Sequence, residues 1–156
     1  MVAPVHANEF RPALRVFTIA RENGHLAQMF GRIVMAAAAK HLTPVTLELG
    51  GKSPCVVLPD ADLETTARRI VWGKFTNAGQ TCIAPDYVLT DADTEALLIP
   101  LMEKAIEEMF GADPEQSDSY GRIVNDRHFS RISALLQSGQ VAIGGQGNAQ
   151  SATRTH

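Results

Sequence analysis

Two cysteines stand in different sequence surroundings and differ in the chemistry open to them. Cys82 lies in the segment NAGQTCIAP, whose glycine and polar residues predict a loop, whereas Cys55 lies in the apolar extended run SPCVVLP. A thiol on a loop can meet a substrate and be activated by backbone N–H donors, while a cysteine in an apolar strand usually only packs. Cys82 is therefore the candidate nucleophile, with an unreactive loop thiol as the alternative.

Glu48 is the second candidate, because its position in a predicted strand separates it from the core. In residues 44–49 apolar side chains alternate with polar ones, at Val45, Leu47 and Leu49. The alternation places Glu48 on the face away from the apolar side, next to the glycines that end the strand. A carboxylate there can act as a general base, although a glutamate near a strand end is more often only solvated.

Other site chemistries find no support in the residues. The five histidines have neither the short paired spacing of a zinc site nor a cysteine at ligand distance, so no metal site is predicted. Gly145 and Gly147 begin a GxG pattern, but Gln150 stands where a third dinucleotide-binding glycine would be, and no helical pattern follows. We therefore interpret this glycine pair as part of a polar C-terminal segment.

The elements that position the two candidates are predicted to alternate between helices and strands from Gly31 onward. Such alternation is typical of an α/β fold with a largely parallel sheet flanked by helices. The predicted helices cover residues 31–42, 60 or 62 to 79, 97–111 and 126–137, and the predicted strands lie at 44–49, within 79–90 and at 140–145. Pro100 is expected in the first turn of its helix or at a kink, and Trp72 and Phe75 are interpreted as core residues.

Composition and length limit the possible functions. The chain has 156 residues, 45% of them apolar, which suits one globular unit or a piece of one. The net charge of -3 and the mixing of basic with acidic residues provide no basic face, so nucleic acid is not an expected partner. No apolar stretch has membrane-spanning length and no secretory h-region is present, so we expect a cytoplasmic protein with no membrane segment and with free thiols.

The two candidate residues fall within two motifs whose combination is specific. LELGGK spans residues 47–52 and contains Glu48, and GQTC spans residues 79–82, so the glutamate and Cys82 are 82 − 48 = 34 positions apart. The surrounding stretch, including GQTCIAPDY, resembles the active-site region of aldehyde dehydrogenases, most closely those of class 3. The resemblance implies that the α/β fold is part of an aldehyde dehydrogenase catalytic domain.

The resemblance also implies a mechanism and a set of site residues. Cys82 would be the nucleophile that adds to the aldehyde, and Glu48 would be the general base that activates water against the thioester. The cofactor would be NAD or NADP, with Leu49 and Gly50 near the nicotinamide and Gly31 as the surviving residue of a cofactor-binding glycine motif. The partners would be a small-molecule aldehyde and, in the complete enzyme, a second copy of the chain in a homodimer.

The resemblance extends over residues 31–154 and predicts a partial catalytic domain there. Residues 1–30 form a divergent N-terminal segment outside it, and residues 155–156 form a tail. Because the family's upstream asparagine, full glycine motif and ribose-binding glutamate have no counterpart in this sequence, we expect the isolated chain to lack enzyme-like turnover. One alternative hypothesis is a non-catalytic fragment or interaction module derived from an aldehyde dehydrogenase. Another, a thiol hydrolase without cofactor, would need a histidine that no motif supplies.

Overall fold

The computed structural model describes the backbone of residues 14–17 and 25–28, and both backbone and side chains of residues 29–148. Most of the predicted divergent segment lies outside the described residues, and so does the predicted tail. The chain divides into two compact units, Met1–Gly51 and Lys52–His156. Glu48 belongs to the first unit and Cys82 to the second.

The described residues of the first unit form a pair of parallel strands and one helix. Strand β1 (Leu14–Phe17) pairs with β2 (Val45–Glu48), and helix α1 (His25–Ala39) lies between them in the chain. A crossover through a helix is the usual connection between parallel neighbours. The sequence pattern does not predict β1, because the residues before Gly31 show only weak periodicity.

Helix α1 has different ends from those predicted. It starts at His25 rather than at Gly31. Leu42, expected as its last residue, has a left-handed backbone with a φ of 52°, and the N–H of Thr43 donates to the carbonyl of Ala38 at 3.1 Å. A left-handed residue combined with such a turn bond ends a helix, so α1 is shorter at its C-terminus than the sequence suggests.

The second unit is built on a strand–helix–strand crossover followed by two helices. Its elements are β3 (Ser53–Val56), α2 (Leu63–Phe75), β4 (Pro85–Leu89), α3 (Ala92–Phe110) and α4 (Asp126–Leu135). Strands β3 and β4 run parallel, with Cys55 opposite Val88. The helices and parallel strands of the two units confirm the expected α/β fold.

The core of the second unit lies where α2 and α3 meet the β3–β4 pair. Val57, Ala67, Ile70 and Leu98 form one buried cluster, and Val71 is fully buried. The spacing of the three buried α2 residues is that of a helix with one apolar face, as the sequence predicts. Burial of this face holds the two helices on the strands.

The expectation that Trp72 belongs to the core is wrong, since 67% of its surface is exposed. A helix turns by about 100° per residue, which carries position 72 beyond the buried stripe that includes Val71. Phe75 is half-buried and contacts the rings of Phe110 and Tyr120, each with its centroid 6.1 Å away. The expected packing role is therefore confirmed for Phe75 alone.

Helix α3 begins earlier than predicted, at Ala92, so Pro100 lies in its interior rather than in its first turn. The carboxylate of Asp91 caps the helix by accepting hydrogen bonds from the N–H groups of Asp93 at 3.1 Å and Thr94 at 3.0 Å. Because proline has no N–H, the backbone carbonyl four residues before Pro100 has no donor within the helix. Pro100 lies on an exposed face, where water can donate to that carbonyl.

Residues 140–145, expected to form a strand, form a bend instead, and that prediction is wrong. Gly144 and Gly145 have positive φ values of 71° and 79°, which interrupt an extended backbone. Among the described residues, no strand pairs with this segment. The helix predicted at 126–137 is confirmed, as α4 followed by a short 3-10 turn at Leu136–Ser138.

Candidate active site

Glu48 is the last residue of β2, and its side chain is exposed. Val45 and Leu47 on the same strand are half-buried while Thr46 is exposed, which is the alternation that the sequence predicts. The carboxylate is therefore on the side of β2 that faces away from the packing with α1. A side chain in this place is open to water and to a ligand.

Cys82 lies in a tight turn directly before β4, and its side chain is exposed. The turn is closed by the N–H of Ala84, which donates to the carbonyl of Thr81 at 3.1 Å. Ala84 is buried, so the turn is attached to the protein at its C-terminal end. The sulfur is thus presented on a short, closed loop.

The chain reaches this turn through three successive residues in the left-handed conformation. Asn77, Ala78 and Gly79 have φ values of 54°, 53° and 73°. Glycine adopts this conformation readily and asparagine tolerates it, whereas alanine is strained there because of its Cβ. The three residues reverse the chain after α2, and contacts from elsewhere must hold them in this form.

Gln80 provides such contacts, because its side chain is buried, with 6% of its surface exposed. Its Nε2 donates to the carbonyls of Asn77 and Arg122, the latter at 2.9 Å, and its Oε1 accepts from the N–H of Val124 at 3.2 Å. The amide therefore joins the segment before the cysteine to a segment more than forty positions further along the chain. Gln80 belongs to the GQTC motif, but nothing in the sequence indicates that its side chain is buried or which groups it binds.

Gly121 approaches the same segment from residues 120–124. A Cβ at this position would stand 3.3 Å from the backbone nitrogen of Ala78 and 3.3 Å from the carbonyl carbon of Asn77. Only a residue without a side chain fits at this distance without moving one of the two backbones. The segment 77–80 is thus held both by hydrogen bonds and by close packing.

Cys55 lies in β3, where it is half-buried and packs against the core cluster of the second unit. The two thiols therefore have the different surroundings that their sequence contexts predict. Cys82 is the one that a reagent in solvent reaches directly.

Asp86, at the start of β4, anchors the chain on the other side of the cysteine turn. Its carboxylate lies 2.7 Å from Nζ of Lys52 and 3.7 Å from Nζ of Lys74. The hydrogen bond from Lys52 and the charges of both lysines hold the pKa of Asp86 below its ordinary value, although partial burial acts in the opposite direction. The turn is thus fixed between Gln80 and Asp86.

The three residues predicted to bind the cofactor lie in the first unit. Leu49 and Gly50 follow β2 and are exposed, and Gly50 has a φ of 113°. Gly31 is buried in α1, where an added Cβ would stand 3.3 Å from Cδ1 of Leu47 and 3.4 Å from Cδ2 of Leu49. The glycine at position 31 thus has a packing reason of its own, because it lets α1 approach β2 closely.

The described ranges contain neither a metal-binding cluster nor a membrane-spanning helix. Residues 29–148 contain no group of three or more histidine, cysteine, aspartate or glutamate side chains placed to bind a metal ion. In the part of the chain that the structure describes, no helix is both long enough and apolar enough to cross a membrane.

Fold and side chains together define a class of protein, namely an α/β protein with an exposed cysteine on a closed turn and an exposed carboxylate at the end of a parallel strand. The sequence profile of the aldehyde dehydrogenase family matches residues 27–153. The chain therefore belongs to the aldehyde dehydrogenase family.

Curated relatives of known sequence agree with this membership. The chain is 57% identical over 115 residues to the rat protein named aldehyde dehydrogenase, dimeric NADP-preferring, covering 74% of this chain and 25% of the relative. It is 54% identical over 116 residues to human aldehyde dehydrogenase family 3 member B1, again covering 74% of this chain and 25% of the relative. The chain spans about a quarter of the length of the relatives it matches.

Solved structures show the same fold. The protein AldH of Staphylococcus aureus in a substrate-bound state superposes with a TM-score of 0.73 and 39% identity, over 88% of this chain and 29% of that chain. A mutant of aldehyde dehydrogenase C from Pseudomonas syringae, complexed with NAD+ and octanal, gives a TM-score of 0.62 and 32% identity, over 79% of this chain and 27% of that chain.

Proposed function

We propose that this chain is the catalytic segment of an NAD(P)-dependent aldehyde dehydrogenase, in which Cys82 is the nucleophile and Glu48 is the general base. The observation that carries the proposal is the exposed thiol of Cys82 on a turn fixed on both sides, by Gln80 and by Asp86. The dehydrogenase reaction is proposed for the whole protein, because the 156 residues span about a quarter of the curated relatives.

The first chemical step assigned to this chain is addition to the aldehyde. The Cys82 thiolate forms a bond between Sγ and the carbonyl carbon, and the π electrons of the carbonyl move onto oxygen. The backbone N–H of Cys82 can donate to that oxygen and stabilise its charge. The carbon then loses a hydride with its electron pair and becomes a thioester, which is the oxidation step.

Bound NAD or NADP supplies the acceptor for that hydride. Leu49 and Gly50 suit a position beside a flat nicotinamide ring, because both are exposed and Gly50 has no side chain to cover the backbone at the end of β2. Gly31 contributes to the close packing of α1 on β2 within the same unit. The rat relative is named NADP-preferring, and the bacterial enzyme from Pseudomonas is complexed with NAD+, so we infer that either cofactor suits the family scaffold.

The second chemical step is hydrolysis of the thioester. Glu48 accepts a proton from water while the water oxygen bonds to the thioester carbon, and the C–S bond then breaks to release the carboxylic acid and return the Cys82 thiolate. An exposed carboxylate at the end of β2 is available to water without displacing a packed group. The same proposal includes a small-molecule aldehyde as substrate and a homodimer as the complete assembly. The homodimer is supported by the rat relative, which is named dimeric.

The experiment that tests the nucleophile uses p-nitrophenyl acetate, an activated ester that acylates a thiol without needing a cofactor. We expect a burst of p-nitrophenolate and one acetyl group on Cys82, located by peptide mass mapping. The matched variants are Cys82→Ser, which should lose the burst, and Cys55→Ser, which should keep it. Acetylation of Cys55 at an equal rate would count against the proposal and favour a non-catalytic module.

A further inference from the structure

We propose that Gln80 is a positioning residue that sets the orientation of the Cys82 turn for addition to a carbonyl. The inference rests on the proposed role of Cys82 as nucleophile. Gln80 is separated from the cysteine by one residue. Its buried amide joins residues 77–84, here called the cysteine loop, to residues 120–124.

The orientation of the Gln80 amide follows from the chemistry of its three partners. The carbonyls of Asn77 and Arg122 can only accept hydrogen bonds, and the N–H of Val124 can only donate one. The amide nitrogen must therefore face the two carbonyls, and the amide oxygen must face the N–H. No other side chain of similar length presents two donors and one acceptor in this arrangement without a charge.

The segment that the amide holds is strained, although it has two local hydrogen bonds: the N–H of Gln80 donates to the carbonyl of Asn77 at 3.1 Å, and Nδ2 of Asn77 donates to the carbonyl of Gln80 at 3.3 Å. Asn77 and Ala78 are non-glycine residues in the left-handed conformation, where local sterics favour a return to other backbone angles. Gln80 supplies long-range hydrogen bonds that oppose this return, and the backbone of Gly121 packs closely against Asn77 and Ala78. The direction of the backbone that enters the Thr81–Ala84 turn is fixed in this way.

The orientation of the Cys82 turn affects addition of the thiolate to a carbonyl more than it affects alkylation of the thiolate. Addition of the thiolate to a carbonyl places charge on oxygen, so the rate depends on where the Cys82 N–H points as well as on the thiol. Alkylation by iodoacetamide is a displacement at a saturated carbon and places no charge on a carbonyl oxygen, so it needs only an accessible thiolate. The ratio of the acylation rate to the alkylation rate at Cys82 therefore reports the orientation of the turn, while thiolate concentration cancels.

The experiment measures this ratio in the 156-residue chain, with p-nitrophenyl acetate for acylation and iodoacetamide for alkylation. Gln80→Met keeps the length of the side chain and removes all three hydrogen bonds. We expect the ratio at Cys82 to fall about tenfold or more, since removing one oxyanion donor typically lowers rates by about 10²–10³. The alkylation rate of Cys82 is expected to stay within about twofold of the unsubstituted chain, because the thiol is exposed already.

The matched control is Asp91→Ala, which also removes three side-chain hydrogen bonds, two with Thr94 and one with Asp93, at the start of α3. It lies outside the cysteine loop, so the ratio is expected to stay unchanged. An equal fall in both variants would overturn the proposal, because the effect would then come from general loss of stability. An unchanged ratio in folded Gln80→Met would overturn it as well.

A second variant keeps the test decisive if Gln80→Met does not fold, as judged by circular dichroism. Gly121→Ala places a methyl group 3.3 Å from the backbone of Asn77 and Ala78, so the loop must shift by a few tenths of an ångström while Gln80 keeps its amide. The ratio is expected to fall in this variant too, and an unchanged ratio would contradict the positioning role.

Failure of the inference and failure of the proposed function give different results. If the unsubstituted chain acylates Cys82 with no greater preference over alkylation than Cys55 shows, Cys82 is not a catalytic nucleophile, and the role of Gln80 falls with it. If the unsubstituted chain shows that preference and Gln80→Met retains it, Cys82 keeps its role and only the Gln80 proposal is overturned.

Discussion

Leu98 is the residue whose replacement tests the packing of the second unit most clearly. It is 3% exposed on α3 and contacts the cluster of Val57, Ala67 and Ile70. Leu98→Ala removes three carbon groups, worth about 2.4 kcal/mol at about 0.8 kcal/mol each. The cavity left behind adds to this, because buried leucine-to-alanine changes cost about 2.7–5 kcal/mol. We therefore expect the free energy of unfolding to fall by about 3 kcal/mol.

The control is the neighbouring residue on the same helix. Leu97 is 60% exposed, so Leu97→Ala should change the free energy of unfolding by less than about 0.5 kcal/mol. Urea denaturation followed by circular dichroism measures both, and a loss of about 3 kcal/mol lowers the midpoint by roughly 1–3 M at the urea dependence typical of small proteins. Equal losses in the two variants would refute the assignment of Leu98 to the core.

Three further predictions concern side chains around the site. Brief treatment of the folded chain with iodoacetamide should label the exposed Cys82 several-fold faster than the half-buried Cys55, and peptide mapping that finds the reverse order would contradict the exposure of the two thiols. Burial raises the pKa of Tyr120 above its ordinary value, so the stability that the neutral phenol contributes is full below about pH 10 and is lost as pH rises through the folded pKa. Tyr120→Phe should therefore lose less thermal stability at alkaline pH than the unsubstituted chain. The hydrogen bond from Lys52 lowers the pKa of Asp86, so the stability that the Asp86 carboxylate contributes is full above about pH 4 and is lost as pH falls through the folded pKa. The stability of Asp86→Asn should therefore depend less on acid pH than that of the unsubstituted chain.

Much of the fold could be predicted because local patterns and burial agree. The apolar face of α2 repeats at helical spacing, and Asp62 caps its start by accepting from the N–H of Thr65 at 3.1 Å. Strand β2 alternates between half-buried and exposed side chains as its sequence does. In both elements the residues that decide the structure are neighbours in the chain, so the sequence shows them directly.

The predicted secondary structure was wrong in two situations: where an apolar pattern covered only part of a helix, and where a predicted strand had no neighbouring strand to pair with. The apolar residues after Leu97 marked only the later part of α3, because its first turn is stabilised by the Asp91 cap rather than by an apolar stripe. Residues 140–145 have the composition of a strand, but two glycines with positive φ interrupt them. A strand also requires a neighbouring strand, which a local pattern does not reveal.

For the candidate site, the exposed loop of Cys82 could be predicted from its glycine and polar neighbours, whereas the structure of that loop could not. Its support comes from the amide of Gln80, whose partners Arg122 and Val124 lie 42 and 44 positions along the chain. Contacts at such a separation depend on tertiary packing. Neither the residue types nor their spacing in a single sequence predicts such contacts.

Cys82 and Glu48 are proposed to have separate roles, as nucleophile and as general base, and hydrolysis of the acetylated full-length enzyme tests these roles most directly. After acetylation with p-nitrophenyl acetate and removal of excess ester, the loss of the acetyl group from Cys82 is followed by intact-mass spectrometry in a full-length enzyme that contains this segment, in its Glu48→Gln variant and in its Glu103→Gln variant, Glu103 being an exposed glutamate on α3. Glu48→Gln should acylate at the normal rate and lose its acetyl group about a hundredfold more slowly, because an amide cannot take the proton of water and general bases contribute about 10²–10⁴ in rate. Glu103→Gln should behave as the unsubstituted enzyme. Equal hydrolysis rates in all three proteins would contradict the assignment of Glu48 as the base.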